Sequence, residues 1–115
     1  MKTSELTGAA LDWAVAKCEG YKIHSFEGGK VICDQSPGGL FTAAYSTKWA
    51  QGGPIIEREN ISVIKADAEW AAYNPKEVEK MWINHSFGPT VLIAAMRCYV
   101  ASKLGDEVEI PEELL

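Results

Sequence analysis

From Val91 to Ala101 the chain carries one charged residue, Arg97. A run this apolar must be buried, and it is too short to cross a membrane, which takes about 18–20 residues. It is also bounded like a helix. Gly88 and Pro89 precede it, Lys103, Leu104 and Gly105 close it, and proline at a first helical position with glycine beyond the last is the ordinary asymmetry of helix ends. A central helix over about 89–104 is predicted, with Gly88 as N-cap and Phe87 and Leu92 forming a hydrophobic staple.

A second helix is predicted over about 7–19. Thr7 is a favourable N-cap, and Leu6 and Leu11 have the spacing of a staple. Leu11, Ala14, Val15 and Cys18 fall on one face at helical spacing. Residues 21–34 read as a hairpin turning at Gly28-Gly29, with Val31-Ile32-Cys33 as a buried strand. Short strands are expected near Phe41–Tyr45, Ile61–Lys65, Glu69–Tyr73 and Trp82–Asn84, with one polar helical turn over Lys76–Met81. Two helices bracketing short strands, without alternation of strand and helix, argue for an α+β class. Two main helices packed on a small, mostly antiparallel sheet in a single domain spanning 1–115 are expected. Residues 106–115 form an acidic C-terminal tail.

Charge narrows the function. The net charge of −5 resides in Asp106, Glu107, Glu109, Glu112 and Glu113; the rest of the chain balances 11 basic against 11 acidic residues. A neutral body lacks the clustered Lys and Arg of general nucleic-acid binding. Three cysteines, Cys18, Cys33 and Cys98, form no CxxC pair. That argues against a disulfide framework or a zinc knuckle and for a reduced, cytoplasmic compartment. No metal site, cofactor motif, phosphate loop or catalytic constellation emerges, and a non-enzymatic protein is expected.

Three stretches ring together: TSELTGAALDWAVAKCEG, WAQGGPIIERE and GPTVLIAAMRCYVASKLGDEVEIPEEL. In that order they resemble the NinX-like family of small lambdoid phage and prophage proteins. The resemblance spans most of the chain, with residues 62–85 matching less closely. It implies a phage accessory protein of the bacterial cytoplasm and carries over no catalytic residue.

The candidate site combines two segments. The Gly-rich stretch from Tyr45 to Pro54, read as a loop, offers aromatic faces (Tyr45, Trp49), an edge-reading amide (Gln51) and close backbone approach (Gly52, Gly53). The alternative is a connector whose aromatics complete the core. The start of the 89–104 helix adds Trp82, His85, Thr90 and Arg97, with open amides and a guanidinium for an anion. The alternatives are a plainly capped helix and an Arg97 on an ordinary solvent-facing strip or paired with Glu57 or Glu59. Together they predict a site for a small planar, nucleotide-like anion, in a protein that assembles as a homo-oligomer, most simply a dimer. The competing reading is a protein-interaction module working through exposed aromatics and the acidic tail.

Overall fold

The computed structural model describes residues 1–75 and 85–115, and its class is α+β. Among the described residues, helix α1 spans Gly8–Cys18, α2 Trp49–Glu59 and α3 Val91–Leu104. Strands β1 (Lys22–Glu27), β2 (Lys30–Asp34) and β3 (Leu40–Ala43) form one antiparallel sheet. Strands β4 (Ser62–Ala66), β5 (Glu69–Tyr73) and β6 (Ser86–Gly88) form a second. The single sheet expected from sequence is thus two three-stranded ones. Helix α1 packs on the first sheet and against α3, while α3 covers the second sheet. No helix of the described residues is long and apolar enough to cross a membrane.

The N-terminal half follows its sequence signals. Leu6 and Leu11 are both fully buried as a staple, with Ala14 and Val15 on the same core face. Thr7 stands at the N-cap position, but its hydroxyl makes no capping bond. The β1–β2 hairpin turns through Gly28 and Gly29, both with positive φ (60° and 76°), the conformation a tight two-residue turn requires. Val31 and Cys33 point inward.

The largest departure concerns Tyr45–Pro54. It is not a Gly-rich loop: after a turn at Ala44–Thr47, the chain enters α2 at Trp49 and stays helical through Gly52, Gly53 and Pro54. Gly52 explains why. A Cβ on it would lie 2.6 Å from the Tyr45 carbonyl oxygen and 2.7 Å from Leu92 Cδ2. The residue is therefore a close-packing point of α2 against α3, and tertiary contact overrides its poor helix propensity.

Helix α3 is as buried as its composition demands, with Leu92, Ala94, Ala95, Met96, Cys98, Tyr99 and Val100 inside. Its N-cap is Thr90, not Gly88; the Thr90 hydroxyl accepts a hydrogen bond from the Ile93 amide at 3.1 Å. The shift of two residues removes the expected Phe87–Leu92 staple. Gly88 instead ends β6, where a side chain would collide with Ala94 N at 2.8 Å. The expected turn at Lys76–Met81 and strand at Trp82–Asn84 lie outside the described residues.

The acidic tail is held down. The Met1 ammonium donates to the Val108 carbonyl and the Val108 amide to the Met1 carbonyl, both at 2.9 Å. Thr3 ties to the Gly105 and Asp106 carbonyls at 2.6 and 2.8 Å. Val108 and Ile110 are buried, so the tail packs while its carboxylates face outward.

Candidate functional site

The same stitching of the two chain ends builds one wall of a cleft of about 590 Å³. β5, β6 and the far half of α3 complete the lining, which includes Phe87, Arg97, Ala101 and Ser102 along with Lys2 and Thr3. Arg97 organises it. Nε donates to the Leu6 carbonyl at 2.8 Å and Nη1 to the Phe87 carbonyl at 2.7 Å, so one guanidinium joins the N-terminal segment, β6 and α3. Burial pulls its pKa below the usual arginine value, with Glu69 opposing. The alternative pairing of Arg97 with Glu57 or Glu59 does not occur; Nε and Nη1 donate to backbone carbonyls instead.

A row of rings lies on β5 and β6, on the sheet face opposite the one by which Gly88 packs on α3. Tyr73 and His85 lie 5.0 Å apart centroid to centroid, and His85 and Phe87 stack at 6.3 Å with planes 28° apart. Phe87 is 44% exposed. The row exists because β6 runs antiparallel to β5 and residues two apart on a strand share a face. Two cations (Lys2, Arg97) and three carboxylates (Glu69, Asp106, Glu107) belong to residues of the lining. Such a cleft can stack a flat ring, hold an anionic group and accept hydrogen bonds from ring N–H groups.

Of the residues predicted from sequence, His85 and Arg97 meet in this cleft. Thr90 is spent on its cap, and Trp82 lies outside the described residues. Tyr45, Trp49, Gln51, Gly52 and Gly53 stand on the Ala44 turn and α2 and do not line the cleft. Tyr45 is buried, which pushes its pKa up. Both ends of the Gln51 amide are engaged: Oε1 accepts from the Ala44 amide at 2.7 Å and Nε2 donates to the Thr42 carbonyl at 2.9 Å. Gln51 thus finishes the end of β3. Trp49 is 58% exposed. Sequence reasoning missed Phe87 and Lys2. The two-residue spacing of His85 and Phe87 is a strand signal that could have found Phe87, whereas nothing local marks Lys2.

Other chemistry is weak. Cys18 is pushed up to about 11 by burial and Glu19, and Cys33 is raised by burial and by Asp12. Both shifts favour the thiol over the reactive thiolate. Among the described residues no cluster of His, Cys, Asp or Glu could hold a metal ion.

The family model for Bacteriophage P22, NinX matches residues 2–103. The chain belongs to the NinX family. The match takes in α1, all of the described strands and nearly all of α3, and with them His85, Phe87 and Arg97. It places this NinX-family chain among phage proteins, in agreement with the resemblance of its three sequence blocks. No match was found among curated proteins.

Proposed function

We propose that this NinX-family chain is a phage accessory protein that binds, without chemically altering, a small planar anion of the nucleotide class. The observation that carries the reading is the cleft of about 590 Å³ that His85, Phe87 and Arg97 line together. Pockets of ~300–1,000 Å³ are the usual size for small-molecule ligands. Sequestration of a host nucleotide signal in the bacterial cytoplasm is the form of this reading that suits a phage protein. A homodimer is part of it: Ile64 and Phe87, both exposed, flank Ala71 across β4–β5–β6 and present an apolar row on one sheet face.

The test is a thermal-shift and calorimetric screen of the full chain with mono-, di- and cyclic nucleotides, followed by chromatography of the recovered ligand. A binder at 100-fold excess over Kd stabilises the fold by ~2.7 kcal/mol and is recovered unchanged. Phe87→Ala weakens it about tenfold or more. No nucleotide raising Tm, or undiminished binding by Phe87→Ala, overturns the reading.

A protein-interaction role keeps one supporting observation, the exposed Trp49 on α2. In that case Trp49→Ala abolishes the biological effect while leaving ligand binding at the cleft unchanged.

A further inference from the structure

Arg97 is half-buried and belongs to the cleft lining. Its Nε and Nη1 donate to the Leu6 and Phe87 carbonyls, and both acceptors are neutral. Among the described residues Arg97 forms no ion pair, and its Nη2 donates to none of them. Charges withdrawn from water are normally matched by an opposite charge. Here the guanidinium is held in place by groups that leave its charge uncancelled, which suits an oxyanion.

The lining is nevertheless not a basic one. Glu69, the exposed first residue of β5, belongs to it. Ala71, two residues on, is the cross-strand partner of Phe87, so Glu69 shares a sheet face with Phe87. The Glu69 charge acts on the Arg97 guanidinium without an ion pair between them. Asp106 and Glu107 also line the cleft, and Glu107 lies 3.6 Å from the Met1 ammonium. Lys2 and Arg97 are then set against Glu69 and Asp106, and no further Lys or Arg among the described residues lines the cleft. Such a balance admits one added negative charge at Arg97. A second would have no cation of its own and would be repelled by Glu69.

We propose that the cleft selects a singly charged phosphodiester over a doubly charged terminal phosphate, with Arg97 as the counterion and Glu69 setting the preference. The inference rests on the nucleotide reading of this cleft and adds to it the class of phosphate. A diester carries one negative charge, whereas a terminal phosphate monoester carries about 1.5–2 at pH 7. Both offer a guanidinium two oxygens, so the fit to Arg97 does not separate them; the neighbouring carboxylate does.

Calorimetry on the full chain at neutral pH and low salt tests it. The probes are the common ribonucleoside 5′-monophosphates, each beside its methyl phosphate ester, which keeps the base and sugar and carries less charge. The ester is expected to bind about fivefold or more tighter than its monophosphate. Glu69→Gln narrows that gap about threefold or more, chiefly by strengthening the monophosphate. Phe87→Ala weakens both members of a pair. Two results overturn the proposal while the nucleotide reading stands: a monophosphate that binds as tightly as its ester, and a gap that Glu69→Gln leaves unchanged. Binding by none of the probes, or binding that Phe87→Ala does not weaken, overturns both.

Discussion

Tyr99 on α3 donates its phenolic proton to Glu19 Oε2, just past α1, at 2.6 Å across 80 residues of sequence. The same carboxylate receives a two-pronged contact from Arg58 on α2, Nη1 to Oε1 at 3.1 Å and Nη2 to Oε2 at 2.6 Å. Arg58 Nε also reaches Glu59 at 2.9 Å. One glutamate thereby ties the C-terminal ends of α1 and α2 to the middle of α3.

Tyr99→Phe removes two hydrogen bonds with charged groups, the one to Glu19 and the one accepted from Arg58 at 3.2 Å, and is expected to destabilise the fold by ~1.5–3 kcal/mol. Urea unfolding followed by circular dichroism measures it. An unchanged midpoint would show that Arg58 alone satisfies Glu19.

Burial pushes the Glu19 pKa up, but Arg58 and Tyr99 outweigh it and hold the carboxyl below the usual value. A lowered folded pKa means that the stabilisation is present above the unfolded value of about 4.3 and is lost as pH falls through the folded one. Tm of the wild-type chain should drop on that acid limb. In Glu19→Gln, which starts less stable at neutral pH, the limb should be shallower.

Asp12 has the opposite sign. Burial raises its pKa, with the Ser46 amide and the nearby hydroxyl pulling it back. A raised carboxyl pKa favours the folded state at low pH, and that favour is lost as pH rises from the unfolded value of about 3.9 through the folded one. Asp12→Asn keeps an acceptor for the Ser46 amide and sheds the buried charge. Its Tm at neutral pH should exceed that of the wild type, with the gap closing in acid.

Neighbouring glycines should respond in opposite directions. Gly52→Ala drives a methyl into the Tyr45 carbonyl and Leu92, and should cost ~1–3 kcal/mol. Gly53→Ala meets only Trp49 Cε3, at 3.5 Å, and should gain up to ~1 kcal/mol in helix propensity. Paired thermal melts compare them directly.

Arg97→Ala should not leave the fold intact. It orphans the Leu6 and Phe87 carbonyls and unties the N-terminal segment from β6, at a cost of ~1.5–3 kcal/mol. Hydrogen exchange of residues 1–6 should accelerate more than that of α1.

Periodicity and turn chemistry by themselves determined α1, the Gly28-Gly29 hairpin and the buried α3, because those signals act within a few residues. They also marked His85 and Arg97, since a lone arginine on an apolar helix and a ring beside a helix start stand out in any reading. What only the tertiary structure decided follows from contacts between distant segments. Gly52 and Gly53 read locally as a loop, and helix α2 forms there because Leu92 and Tyr45 leave room for no side chain at Gly52. Gln51 reads as a ligand contact, yet it completes β3. The cleft wall of Lys2 and Asp106 arises from pairing between the two chain ends. The Glu19–Arg58–Tyr99 lock joins three helices whose separate patterns show only their apolar faces. Local sequence encodes which face is buried; which buried faces meet, and which polar groups are trapped between them, is settled only when the segments pack.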